Sequence, residues 1–250
     1  MAEVDNEFEA QPLVEHLSEL RKRLFWSLLA ILIGCIACWN FSEKIFDIVR
    51  HPIEPFLTTA TQGGLVFTGV MDKFVAHIKV SLFAGVVISA PFWMYQVWLF
   101  VSPALYRKEK KYAFSFLTVG SLLFAVGILF AYKIFFPTAF EFLLGFGGEK
   151  DTPFISISEY LSFFMLMSLA MGVSFELPLV LVVLGVTGVI DRDFLARNRR
   201  YAILLLALLS GIVTPPDPLS LVMMLVPMVI LYESAVWIVK LLAPKNPTIE

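Results

Sequence analysis

The sequence predicts an all-α polytopic membrane protein. It is to have six transmembrane helices, kinked and packed as a curved wall with a membrane-facing pocket, and both chain ends in the cytoplasm. Three observations carry this. Of the 250 residues, 58% are apolar, against roughly 45–50% in soluble domains. The apolar residues gather into six runs, most near the ~20 residues a span needs. Lys and Arg are shared unequally between alternate connecting segments. The runs leave too little polar sequence for a soluble unit, so residues 1–250 read as one membrane domain. A net charge of −2 gives no electrostatic argument for nucleic acid.

Taken in order, the cytoplasmic tail 1–23 comes first. Pro12 can open a helix. Leu13, Leu17, Leu20 and Leu24 then fall on one helical face, with Glu15, Glu19 and Lys22 on another. This predicts a short amphipathic helix along the inner surface. The first span is 24–41. Arg21, Lys22 and Arg23 precede it as in a signal peptide, but the polar lead is too long and no small-residue cleavage site follows Trp39, so the span is expected to stay uncleaved. Cys35 and Cys38 lie inside it and read as small apolar fillers. An outer segment, 42–79, follows. Ser42 is expected to cap a surface helix whose apolar face is Ile45, Ile48 and Val49, with Pro52 ending it.

The second span, 80–101, carries no charge. The third is 113–136, with Lys133 near its end. The fourth, 160–190, is interrupted only by Glu176. The fifth, 201–213, would be roughly 20 Å of helix, short of a hydrocarbon core of about 30 Å. It is either part of a re-entrant hairpin or a short span in a thinned bilayer, and a short spanning pair with the sixth is the favoured reading. The sixth, 218–242, carries Glu233 and Lys240. One set of connecting segments holds 13 Lys and Arg, the other 6. The richer set is cytoplasmic by the positive-inside rule. It includes both chain ends, which requires an even number of spans.

A few residues stand out against this frame. Glu19 either pairs with Arg23 one turn on or offers its carboxylate to a guanidinium from outside. Glu109 is the one acid among Arg107, Lys108, Lys110 and Lys111, and is open to the same two readings. Glu176 lies in an apolar run where a carboxylate is costly, and Pro178 frees the Ser174 carbonyl beside it. Together they mark either an intramembrane polar pocket or a neutral glutamic acid bonded to that carbonyl. Pro91 and Pro227 should free the carbonyls of Val87 and Met223 and kink their spans. None of the three histidines, His16, His51 and His77, falls within a span. With no nucleophile, zinc or phosphate motif, the chain reads as no enzyme, with no metal and no cofactor. Two rivals remain. One is a secondary transporter or channel using Glu176; the other is a passive anchor.

Four segments together resemble the TatC family, the polytopic subunit of the twin-arginine protein translocase. They are His16–Leu24 (HLSELRKRL), Ser102–Lys111 (SPALYRKEKK), Met171–Pro178 (MGVSFELP) and Thr214–Asp217 (TPPD). The resemblance implies a protein of the bacterial inner membrane that binds twin-arginine signal peptides of folded cargo at a cytoplasmic site. It implies assembly with TatA- and TatB-type single-span proteins, self-association in a larger complex, and export driven by the proton-motive force. By the same resemblance Glu19 and Glu109 match the arginine-binding carboxylates, and Phe100 and Leu105 flank that surface. Arg21 matches the basic residue of the tail, and Glu176 the residue facing a concave intramembrane pocket. Pro52, Tyr132 and Asp217 match outer-side positions tied to assembly. One departure stands out: Leu221 follows Ser220 where the family often has Gln.

Overall fold

The computed structural model describes residues 13–57, 64–101, 113–146, 154–186, 188, 190 and 192–242. The first helix, α1 (Leu13–Trp39), runs unbroken for 27 residues, roughly 40 Å. The expected surface helix and first span are therefore one element. No Gly or Pro interrupts the chain between Leu13 and Ile33, and Arg21-Lys22-Arg23 are good helix formers.

Helix α2 (Ser42–Arg50) is the short helix expected after the first span, but Ser42 does not cap it. Phe41 precedes the helix without a side-chain cap, and Ser42 Oγ lies 3.2 Å from His77 Nδ1. Val49 is buried and Ile45 packs on the core, while Ile48 faces outward. A 3₁₀ turn (Glu54–Phe56) follows.

The second span is two helices, α3 (Asp72–Ile88) and α4 (Ala90–Val101), meeting at 56°. The sequence places its start eight residues later, but Asp72 Oδ2 accepts from the N–H groups of Thr68 and Gly69 and fixes the earlier one. Pro91 sits in the first turn of α4, where its missing N–H costs little. Trp93 Nε1 donates to the Val86 carbonyl across the bend at 3.0 Å.

The third span consists of α5 (Ala113–Phe130), a π turn (Ala131–Phe135) and α6 (Phe136–Gly145). The helix runs on past 136, where the sequence placed the end of the third span, and through Pro137. The wider π turn just before it absorbs the missing donor and the chain continues. Phe136 stacks on Phe164 with ring centroids 4.5 Å apart, at the centre of an aromatic core with Phe135, Phe140 and Tyr160.

The fourth span breaks at Phe175–Glu176 into α7 (Ile157–Ser174) and α8 (Leu177–Val186). A six-residue helix, α9 (Arg192–Arg197), leads to α10 (Arg199–Val213) and α11 (Pro218–Leu242). Tyr232 OH donates to the Leu195 carbonyl at 2.7 Å, and Arg199 meets Glu233 at 2.9 Å, so two contacts dock α9 and the start of α10 on α11. Among the described residues four helices are long and apolar enough to cross a membrane, or five if the bent α3–α4 pair is one span. Helix α10, about 22 Å long, is the short fifth run of the sequence and falls below that length.

Helices pack as a row, with α1 on α3 and α4, then α5 and α7, then α8 and α11, then α10. The burial gradient agrees: the apolar stretch of the fourth span is 50% buried and that of the first 11%. Small residues let backbones touch, as membrane helices require. A Cβ on Gly85 would lie 2.6 Å from Cys35 N, joining α3 to α1. One on Gly127 would lie 2.6 Å from the Met171 carbonyl oxygen, joining α5 to α7.

Candidate functional site

Two polar sites lie on this apolar wall. The first is at the end of α1 nearest the N-terminus. Glu19 and Arg23 are one turn apart on α1, each side chain about three-quarters buried, with Arg23 Nη2 3.0 Å from Glu19 Oε1. Arg23 Nη1 reaches across to Gln96 Oε1 on α4 at 3.4 Å. Arg23 Nε is buried without a partner among the described residues. The local pairing expected for Glu19 is thus made, yet it uses one contact of a carboxylate that has about four lone-pair sites.

Gln96 was missed by sequence reasoning. A lone amide in a charge-free apolar run is the signal that could have found it. It is 6% exposed, and its neighbour one turn on is Phe100, half-buried near the end of α4. Arg21 is exposed on α1. Leu105 and Glu109 lie in 102–112, outside the described residues, in the segment that follows α4.

The second site is within the membrane. Glu176 sits in the break between α7 and α8, about two-thirds of the way along the fourth span. Its N–H donates to the Val173 carbonyl and its own carbonyl accepts from Val180 N, both at 3.0 Å, so the backbone turn is satisfied. Pro178 is buried in the first turn of α8. Gly120 on α5 makes room for the carboxyl: a Cβ there would be 3.1 Å from Glu176 Oε2. Oε1 is buried and has no hydrogen-bond partner among the described residues. The carboxyl is therefore not consumed by the helix break. It faces a cavity of about 200 Å³ lined by Trp93, Met94 and Trp98 of α4, Leu117 of α5, and Leu179 and Val183 of α8. An apolar cavity with one unsatisfied carboxyl oxygen suits a helix that brings a hydrogen-bonding group with it.

The three remaining candidates lie near the opposite end of the wall. Pro52 is buried after the last turn of α2. Tyr132, in the π turn, donates its hydroxyl to the Ile48 carbonyl of α2 at 2.9 Å. Pro52 and Tyr132 are thus brought to one place. Asp217 serves a separate element. Its Oδ1 accepts from Ser220 N at 2.7 Å, capping α11 just before Pro218 at the first helical position. Among the described residues no group of three or more His, Cys, Asp or Glu could hold a metal.

The family described as Sec-independent protein translocase protein (TatC) matches residues 15–227. A protein of that name from Desulforapulum autotrophicum is 40% identical over 93% of this chain and 86% of its own length. Another, from Aquifex aeolicus, is 40% identical over 96% of this chain and 99% of its own. A crystal structure of the twin arginine translocase receptor TatC superposes with a TM-score of 0.78 at 38% identity, covering 90% of this chain and 98% of that one.

Proposed function

The chain belongs to the TatC family of Sec-independent protein translocase proteins, and from that premise we propose that it captures twin-arginine signal peptides at the Glu19 end of the wall. As a family member it is a multi-pass membrane component of the twin-arginine translocase and not an enzyme. In this reading the wall lies in the bacterial inner membrane with both chain ends in the cytoplasm. The excess of 13 Lys and Arg over 6 supports that orientation.

In this reading each signal arginine takes one carboxylate, Glu19 for one and Glu109 for the other. A planar guanidinium matches a carboxylate bidentately, and a lysine ammonium does not. Arg21 adds to the basic rim, and Phe100 and Leu105 line the surface on which the peptide lies. The observation that carries the reading is Glu19 itself. It is largely buried, tied down by Arg23 beside Gln96, and keeps an oxygen for an incoming donor. Single-span partners of the TatA and TatB type then pack against the wall. One presents a polar group of its transmembrane helix to Glu176, in the cavity that Pro178 and Gly120 help to form. The proton-motive force drives export of the folded cargo through the assembled complex.

The test is equilibrium binding of a labelled signal peptide to the protein in nanodiscs. Glu19→Gln removes one charge-assisted contact, worth about 1.5–3 kcal/mol, so affinity should fall roughly 10- to 150-fold. Replacing the peptide's two arginines by lysines should lower wild-type affinity, and the variant should feel the replacement less. Equal affinity of wild type and variant for the arginine peptide would remove Glu19 from the site.

A further inference from the structure

We propose that Tyr132 and Tyr160 act together as positioning residues for α2, supplying by their hydroxyls the two donors that the last turn of that helix lacks. This deepens the reading of Pro52 and Tyr132 as outer-side assembly positions, and rests on that reading only for its consequence in export.

In a continued helix the carbonyls of Ile48 and Val49 would accept from the N–H groups of residues 52 and 53. Pro52 has no N–H. Ile53 N turns to the Arg50 carbonyl instead, at 3.1 Å. The Val49 acceptor would be stranded in a dry site, where Val49 is 3% exposed, Ile53 1% and Tyr160 3%, while the Ile48 acceptor lies at the rim, on a residue that is 58% exposed. The structure fills each vacancy with a phenol. Tyr132 OH donates to the Ile48 carbonyl at 2.9 Å, and Tyr160 OH to that of Val49. The two come from different spans and share a wall, since both rings lie against Phe164 at centroid distances of 6.4 and 6.1 Å.

Tyr132 reaches α2 from within the π turn (Ala131–Phe135). Inserting one residue turns the following helix face by roughly 100° relative to an unbroken α-helix. Pro137, which cannot donate to the Lys133 carbonyl, is the sequence feature that sustains that turn. Pro52 and Pro137 are therefore linked: one removes a donor from α2, and the other shapes the turn that carries the replacement. Held this way, α2 keeps Val49 inward and turns Glu43, Lys44, Asp47 and Ile48 outward. That charged face is what the outer side offers to a neighbour.

The experiment is amide hydrogen exchange across α2 in the full-length protein in nanodiscs, for Tyr132→Phe, Tyr160→Phe and Pro52→Ala singly and in pairs. Phenylalanine keeps the ring packing and removes only the hydroxyl. Tyr160→Phe should speed α2 exchange about tenfold, the scale of one buried hydrogen bond, and Tyr132→Phe, whose bond is at the rim, about threefold. Pro52→Ala restores an N–H aimed at Ile48, because His51 already has helical dihedrals (φ −50, ψ −39). In that background Tyr132→Phe should leave exchange unchanged, whereas Tyr160→Phe, whose acceptor is Val49, should still cost about tenfold. Wild-type exchange in both Tyr→Phe variants, or an equal Tyr132→Phe effect with and without Pro52, overturns the proposal. Export of a folded reporter is read in parallel. It should fall in both Tyr→Phe variants. An exchange pattern as expected with export unmoved would leave the clamp standing and refute the assembly role of this surface.

Discussion

Gly85→Ala tests how the wall is held together and whether packing reaches the polar site. A Cβ at position 85 would lie 2.6 Å from Cys35 N and 3.0 Å from the Ile31 carbonyl oxygen. Both are backbone atoms, so no side chain can swing away. Ordinary contact begins near 3.4 Å, and α1 must therefore retreat by about 0.8 Å. Overpacking of this kind costs about 1–3 kcal/mol. At roughly 2–4 °C per kcal/mol for a chain of this size, the midpoint should fall by about 2–12 °C. The effect should extend to the other end of α1. The Arg23–Gln96 contact is already 3.4 Å, and a retreating α1 would break it and loosen Glu19. Gly145→Ala is the control, since nothing lies within 4 Å of a Cβ there. Thermal unfolding in detergent, followed by fluorescence, compares the two. Equal midpoints for both variants would refute the claim that Gly85 sets the α1–α3 distance.

Two further outcomes follow from single contacts. Trp93→Phe keeps a ring in the cavity wall and removes the Nε1 donor to the Val86 carbonyl; it should cost about 1–3 kcal/mol, read as a lower unfolding midpoint and faster exchange at Ser89–Phe92. Asp217→Ala removes the cap of α11 and should cost about 0.5–2 kcal/mol, with Asp217→Asn recovering most of it, measured in the same unfolding assay.

The long apolar runs were legible because burial in lipid selects composition directly. Glu176 was legible because a carboxylate in such a run has few reasons to be there, and the fifth helix was recognisably short from its length alone. Other features depend on partners distant in sequence. The third span was placed to end at 136, and only the π turn before Pro137 shows how the helix continues. Ser42 has the residue type of a cap, but His77, 35 residues on, draws its hydroxyl into a tertiary contact. The tail and first span differ in periodicity, which conceals that nothing between them stops a helix. At the first polar site, Glu19 and Arg23 are close in sequence, whereas Gln96 is joined to them only by the packing of α1 on α4. Leu105 and Glu109 lie outside the described residues, and their part rests on the resemblance.

The most direct measurement is photocrosslinking from a probe at Phe100, one turn beyond Gln96, to a signal peptide presented to inverted membrane vesicles. A twin-arginine peptide should give a strong adduct. The adduct should be much weaker when both arginines are lysines, and lost in the Glu19→Gln/Glu109→Gln protein. An adduct of equal yield with either peptide, or one that survives neutralisation of both carboxylates, would contradict capture of the arginines by these carboxylates.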